Sequence, residues 1–434
     1  MDIKPVKIYA QQDVPRLRYI ASLILGEILG LAWELTTDKR KLGKHPVINY
    51  SDETIAGAFR ISPSTLLFEK GIKSREISVT EWKSLPMFFS GKQESDFPFD
   101  IFAAAFYLVT RYEEYLEFTP DKYGRFKASD SLAFKNGFLG IPVIDLWAKE
   151  MSKAMIKKLP MLTYRRNEFR TLITFDSDEP FENRSNSLLR SLSDMFRERK
   201  MQKIRTEGKN GNRKNVKDPY DVFGYITDKL IQVTADAVFF FPVGDNTEYD
   251  KNPSWKNDNY RTLIRSISQK FRTGLHPSFR AAVKPAILKS EHDRLGIITE
   301  QKVEFNRFHF SRLFFPLSYR TLLSAGITED YSMGYPEEPG FRAGIARPFS
   351  FYDLTDDHHT NLRIFPFQVM DLTLFNYKQL NCDDAKEVIN KLLNETKKAG
   401  GLFVSIWHNT SLLDGENFAG KRNLFESLVK KKIV

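Results

Sequence analysis

The chain has 434 residues, 41% of them hydrophobic and 28% charged, with 36 Phe, a net charge of +10 and a single cysteine, Cys382. This composition excludes a disordered chain, which lacks the large apolar side chains that a core needs, and the lone thiol excludes an intrachain disulfide framework. The length suits two domains better than one, and the opening MDIKPVKIYA has no apolar run directly after a basic segment, so no signal peptide is expected and the expected location is cytoplasmic.

Residues 1–165 read as a smaller mixed α/β domain. VKIYA predicts a first strand and Leu17 to Leu35 a helix. Within that helix, Tyr19 to Leu35 is the strongest membrane candidate, but it carries Glu27 and Glu34 and is short of the ~20 apolar residues a span requires; it reads as a buried amphipathic helix. Pro46 to Tyr50 and Thr65 to Phe68 predict short strands. Phe99, Phe102, Phe106 and Val109 share one helical face, on a helix ending near Thr119-Pro120. That helix carries Arg111-Tyr112-Glu113-Glu114, a pattern that belongs to a solvated face or a domain contact.

From Phe169, in a second domain over 166–434, short apolar runs alternate with helical patterns. The strand candidates are RTLITF, AVFFFPV, TGLH, GIIT, VEFNRF, AGIT, LRIFPF and GLFVSIW. The helix candidates are Leu188 to Lys203, Tyr260 to Phe271, Phe314 to Ser324 and Cys382 to Ala399. The alternation indicates an α/β fold with a parallel sheet and crossover helices, either open or closed into a barrel. Between Arg190 and Lys217 lie ten Lys/Arg against three acids. Such a stretch can touch phosphates, but it lacks the interleaved aromatics of a single-strand binder, so an exposed solvated loop is expected and nucleic acid is not an expected partner.

Six apolar segments finish on ionisable residues. RTLITF runs into Asp176-Ser177-Asp178, TGL into His276, and VEFNRF contains Arg307 and runs into His309. AGIT runs into Glu329-Asp330, RIFPFQVM into Asp371, and GLFVSIW into His408. In α/β barrels the C-terminal strand ends converge on the face that holds the active site, so these residues would meet. The remaining histidines, His45, His292, His358 and His359, sit in polar surroundings. Carboxylates with two or three imidazoles suit a divalent metal with an open water position; they equally suit acid–base catalysis without metal.

These segments resemble the motifs of the polysaccharide deacetylases, the family that includes the NodB-type chitooligosaccharide deacetylases. Thr174-Phe175-Asp176-Ser177-Asp178 resembles T-F-D-D-G, Gly274 to Ser278 the start of H-[ST]-x-x-H, Asn306 to His309 the arginine motif, Gly326 to Asp330 the aspartate motif, and Ile406-Trp407-His408 the final L-x-H, all in family order. INYSD, DIFAAAFYLVTRYEEYL, GLHPS, DYSMGY and GFRAG resemble a subgroup typical of Bacteroidetes, in which an extra N-terminal domain precedes the deacetylase-like one and the setting is surface polysaccharide synthesis. The resemblance implies a distorted (β/α) barrel of the glycoside hydrolase/deacetylase type and hydrolysis of an N-acetyl group on a carbohydrate substrate.

Carried over by position, Asp176 would be the general base, Arg307 would hold it, Asp330 would orient a partner and His408 would be the general acid. Asp178 and His276 would bind a divalent metal, zinc or a similar ion. Arg280, Arg342, Asp371 and Trp407 are the expected substrate contacts. Two departures stand out: Ser177 separates the two aspartates, and Arg280 occupies the place of the second metal histidine. Three readings follow. His309 supplies the missing ligand from a neighbouring strand end, the site works without metal through Arg280 and Arg307, or the domain binds carbohydrate without catalysis.

Overall fold

The computed structural model describes residues 4–165, 167–181, 218 and 220–430. The predicted helix Leu188 to Lys203 and the whole basic stretch Arg190 to Lys217 lie outside them.

The N-terminal region is built on a four-stranded parallel sheet of β1 (Val6–Ala10), β2 (Trp33–Thr36), β3 (Val47–Tyr50) and β4 (Phe59–Arg60), in the order β2-β1-β3-β4. The predicted helix from Leu17 is shorter than expected. Pro15 opens it at a position where its missing N–H costs nothing, an α-helical stretch Pro15–Ala21 passes into a wider turn Ser22–Ile28, and Gly30 at φ 69° redirects the chain into β2. Leu23, Ile24, Leu25 and Ile28 are buried, and no helix among the described residues is long and apolar enough to cross a membrane. Thr65 to Leu67, expected as strand, is a single 3-10 turn. A hairpin of β5 (Thr80–Trp82) and β6 (Leu85–Met87) follows. The helix Ile101–Val109, capped by Asp100 accepting from the Ala103 N–H, is buried on every face; it stops well before Thr119 because Arg111 takes a left-handed backbone, φ 54°.

The C-terminal region holds a nine-stranded sheet. Its strands are β7 (Arg170–Asp176), β8 (Ala237–Phe241), β9 (Arg272–Leu275), β10 (Phe305–Asn306), β11 (Glu329–Asp330), β12 (Phe349–Asp353), β13 (His358–Ile364), β14 (Val369–Met370) and β15 (Leu402–His408), in the order β12-β13-β11-β10-β9-β8-β7-β15-β14. Every ladder is parallel except the β12–β13 hairpin. The near-continuous apolar runs of β7, β8 and β15 are those of strands covered on both faces. The run GIIT is not a strand but the end of helix Pro285–Thr299, an ambiguity inherent in four apolar residues without flanking turns. The helix Cys382–Ala399 forms where expected, with Asn381 capping its first turn and Gly400 at φ 64° ending it.

Alternation along the strands splits the core in two. One row faces inward: Leu172, Val238, Phe240, Tyr331, Met370, Val404 and Ile406 form a separate apolar cluster fed by strands from across the sheet. The other row, including Ile173, Phe175, Phe239 and Trp407, belongs to the large outer core. The sheet therefore curls around its own interior. No ladder among the described residues joins its edge strands, β12 and β14. Between β13 and β14 the chain runs through the Phe365–Gln368 segment, whose amides reach Asp330 and Met333 on one side and Val404 on the other, and Gln368 Oε1 accepts the Val404 N–H at 2.7 Å. The expectation of a parallel α/β sheet is thus met, and no hydrogen-bonded closure into a barrel is found among the described residues.

The outer core continues unbroken from Val6 to Val429 through both regions. Polar contacts follow the same path: Arg16 pairs with Asp357, the Tyr19 hydroxyl donates to Ser350 O, and Asp145 accepts from the Ala346 N–H and Arg347.

Candidate active site

The inward rows change character as they rise. On β7 the sequence of inward residues is Leu172, Thr174, Asp176; on β15 it is Leu402, Val404, Ile406, His408; on β9 it passes from Gly274 to His276, the residue just beyond the strand. Apolar groups fill the lower layers and ionisable groups crown them. Gly274 is required by crowding, since a Cβ there would stand 2.6 Å from the Phe240 ring and 2.8 Å from Phe305.

Arg307 is fully buried and fixes the base of the cluster. Its Nη1 donates to Asp176 Oδ1 at 3.0 Å, Nη2 to Thr174 Oγ1 at 2.7 Å and Nε to Tyr331 O at 3.1 Å, with the guanidinium 4.6 Å over the Phe240 ring. Such charge-assisted bonds fix the Asp176 carboxylate in one orientation. On the opposite side, Asp371 accepts from His408 Nδ1 at 2.7 Å and from its backbone N–H at 2.8 Å. His408 Nε2 then points at Asp178 Oδ2, 3.7 Å away, and Asp176 Oδ2, 4.0 Å away. Burial pushes the His408 pKa down, but Asp371 outweighs it and the imidazole is held up at about 9.

Asp178, His276 and His309 form the centre, their ligand atoms all within 4.8 Å of one another. His276 Nδ1 lies 2.6 Å from Arg307 O. A carbonyl only accepts, so Nδ1 carries the proton and Nε2 presents its lone pair. His309 Nδ1 likewise bonds Asp250 Oδ1 at 2.8 Å, leaving Nε2 free to face Asp178 Oδ2 at 3.7 Å. His276 Nε2 and Asp178 Oδ1 stand 3.2 Å apart, yet neither completes a hydrogen bond. Two electron-rich buried atoms aimed at each other need a cation or an extra proton between them. The fields say the same: burial pushes the His309 pKa down, but Asp178 and Asp250 raise it to about 10, while His309 and His276 hold Asp178 well below the carboxylate range against its burial. Two imidazoles and a carboxylate, each imidazole oriented by its other nitrogen, fit a divalent metal with open positions.

Arg280 is exposed on the turn after His276 and is not among these ligand atoms. Three of the expected substrate contacts need correction. Arg342 is buried and consumed elsewhere, with Nε and Nη2 on Glu114 and Nη1 on Gly334 O. Trp407 pairs in register with Phe175 on the outer face and packs on Phe425, because its neighbour His408 takes the inward position. Asp371 is buried, with both carboxylate oxygens accepting from His408. Asp330 also has outward parity, in register with Asn306. Its carboxylate accepts from Asn306 Nδ2 and Ser332, and Ser332 Oγ accepts the Phe308 N–H, so it supports the turn carrying Arg307 and His309 from behind. Sequence reasoning missed Asp250, which lies in the loop after β8 rather than at a strand end, and Glu291, which accepts from the Ser278 N–H and hydroxyl beside His276.

Residues 6–160 match a family described as a family of unknown function, DUF7033. A comparison with curated proteins returns no match. Among solved structures, similarity is found to a candidate polysaccharide deacetylase from Mycobacterium smegmatis, at 14% identity over 62% of this chain and 87% of that one, TM-score 0.41. It is also found to a CE4 family pseudoenzyme from Bacillus anthracis, at 10% identity over 62% and 61%, TM-score 0.33, and to a polysaccharide deacetylase from Bacillus cereus, at 12% identity over 61% and 89%, TM-score 0.30. All three likenesses are distant.

Proposed function

We propose that this protein is a metal-dependent hydrolase that removes an N-acetyl group from a sugar, in surface polysaccharide metabolism. The observation that carries the reading is the convergence of His276 Nε2, His309 Nε2 and Asp178, with both imidazoles pinned through Nδ1. The motif resemblance supports it, and His309 stands in for the histidine that Arg280 displaces.

Asp178, His276 and His309 would hold a divalent ion, which when bound would supply Lewis acidity to an acyl carbonyl and acidify water. The chain's own residues do the rest. Asp176, immobilised by Arg307 and buried beside the cluster, takes a proton from the attacking water. His408, kept protonated by Asp371, delivers a proton from Nε2 to the departing amine as the C–N bond breaks. Base and acid lie on neighbouring strands β7 and β15, in register at Asp176 and His408.

Metal analysis of the purified protein together with acetate release from N-acetylated oligosaccharides tests the reading. One divalent ion per chain and acetate release lost in Asp176→Asn are expected. Metal-free protein that releases no acetate from any such substrate would overturn it, and glycan binding without turnover would mark a carbohydrate-binding protein instead.

A further inference from the structure

His309 is not placed by a sheet ladder. Strand β10 ends at Asn306, and His309 opens a short turn in which Phe310 (φ 60°, ψ 13°) and Ser311 (φ 50°) both take the left-handed backbone. Each such residue costs on the order of 1–3 kcal/mol and persists only where its surroundings over-determine it. For a bulky residue such as Phe310 the conformation is a true outlier.

The restraint comes from the N-terminal region. Arg125 Nη1 donates to Phe310 O at 3.0 Å, and Arg312 Nε donates in the opposite direction to Tyr123 O at 2.8 Å. The Tyr123 ring lies 4.8 Å from the Phe310 ring. Arg125 is itself buried and fixed by Asp121, which accepts from its Nε at 2.8 Å and its backbone N–H at 2.9 Å. Gly124, at φ 80°, lets the loop lie close: a Cβ there would meet the Phe314 ring at 3.2 Å. The clamp also reaches the other side of the imidazole. Arg312 donates to Phe279 O, and the Phe279 N–H donates at 2.9 Å to Asp250, the carboxylate that holds His309 Nδ1.

We infer that the turn Asp121–Arg125 is a positioning element for the candidate metal site, with Arg125 as the positioning residue that locks the strained His309–Arg312 turn and aims the His309 imidazole. The inference deepens the proposed function and rests on it for the metal, but not for the orientation of His309. It gives the N-terminal region a part in the site itself. The strand-end pattern lacks one ligand, and a segment remote in sequence keeps the substitute in place.

The test uses the full chain as wild type, Arg125→Ala and Arg125→Lys. Ring 15N–1H correlation spectra of the metal-free protein, with His309 assigned through His309→Gln, report the imidazole; Co²⁺ titration reports the site; circular dichroism and Tm report the fold. Arg125→Ala is expected to shift the His309 ring signals while leaving those of His276 and His408 in place, and to weaken Co²⁺ binding about tenfold, as changes behind a ligand do. Arg125→Lys, which keeps the charge but not the fork, falls between. A folded Arg125→Ala with wild-type His309 signals and wild-type affinity overturns the inference, as does equal displacement of all three histidines. Should Arg125→Ala not fold, unchanged signals and affinity in Arg125→Lys overturn it. Wild type that binds no Co²⁺, with His309 signals still moving in Arg125→Ala, refutes the metal reading and leaves the positioning role standing.

Discussion

Two buried charged clusters in this protein look alike in composition and differ in satisfaction. In the first, Arg111 donates from Nε to Glu114 and from Nη2 to Glu113 and the Tyr335 hydroxyl, and its Nη1 reaches Arg342 O. Arg342 forks onto the same Glu114. Here the charges consume one another, and the cluster joins the N-terminal region to the segment after β11. In the second, Asp178 Oδ1 and His276 Nε2 are buried beside each other without completing a bond. A buried polar group left unmade costs about 1–3 kcal/mol, and these two, unlike scattered atoms such as Trp407 Nε1 and Ser405 Oγ, converge on one point with His309. Saturation marks a strut, and convergent unspent lone pairs mark a site.

The sharpest way to break this distinction is Glu114→Ala, which leaves the buried Arg342 without a carboxylate and Arg111 with Glu113 alone. It is expected to cost about 3–5 kcal/mol in urea unfolding while leaving the Co²⁺ affinity of the folded fraction unchanged. Asp178→Asn should do the reverse. Hydrolysis falls on the order of a thousandfold, as loss of several kcal/mol of Lewis-acid assistance implies, whereas the stability of the metal-free protein changes by less than in Glu114→Ala. Comparable unfolding losses in both variants would erase the difference between strut and site. Asp250→Asn keeps the shape but weakens the hold on His309 Nδ1, and a metal affinity about 10- to 100-fold lower is expected by titration.

Glu291 sharpens the comparison from a third side, because it is buried and hydrogen-bonded yet no cation among the described residues is forked onto it. Burial pushes its pKa up to about 6 despite the Ser278 donors. A carboxyl raised in the folded state adds stability below its ordinary pKa and loses it as pH rises through the folded value. The excess stability of wild type over Glu291→Gln is therefore expected to be greatest below pH 4.5 and to fall by about 1–2 kcal/mol through about pH 6, measured by chemical denaturation at stepped pH. A flat difference would show that Ser278 fully offsets the burial.

The strand ends were readable because apolar runs feeding an ionisable residue are a local pattern: Asp176, His276 and His408 all crown inward rows. Parity was the piece left unread. Trp407 and Asp330 sit next to inward positions and so face the other way; counting by twos from His408 would have separated Trp407, whereas the parity of Asp330 follows only from its register with Asn306. Asp250 carries no such mark, since a loop residue is placed by its contacts and not by a ladder. The Glu114–Arg342 fork joins residues 228 apart in sequence, and the polarity of Arg111 to Glu114 suggests water as readily as a partner until that partner is known. The run Thr65 to Phe68 failed for a plainer reason: four residues can be a turn or a strand, and the fold decided.

The unbroken outer core bears on how the molecule comes apart. Tyr19, Leu139, Ile144 and Trp147 share it with Phe341, Ile345 and Phe425, so no plane of weakness separates the regions. Heat or denaturant is expected to melt the chain in one calorimetric transition, and the stretch after residue 165, made alone, would expose a sticky face and aggregate. Neither region could be exchanged for a foreign one without rebuilding the apolar surface where they meet.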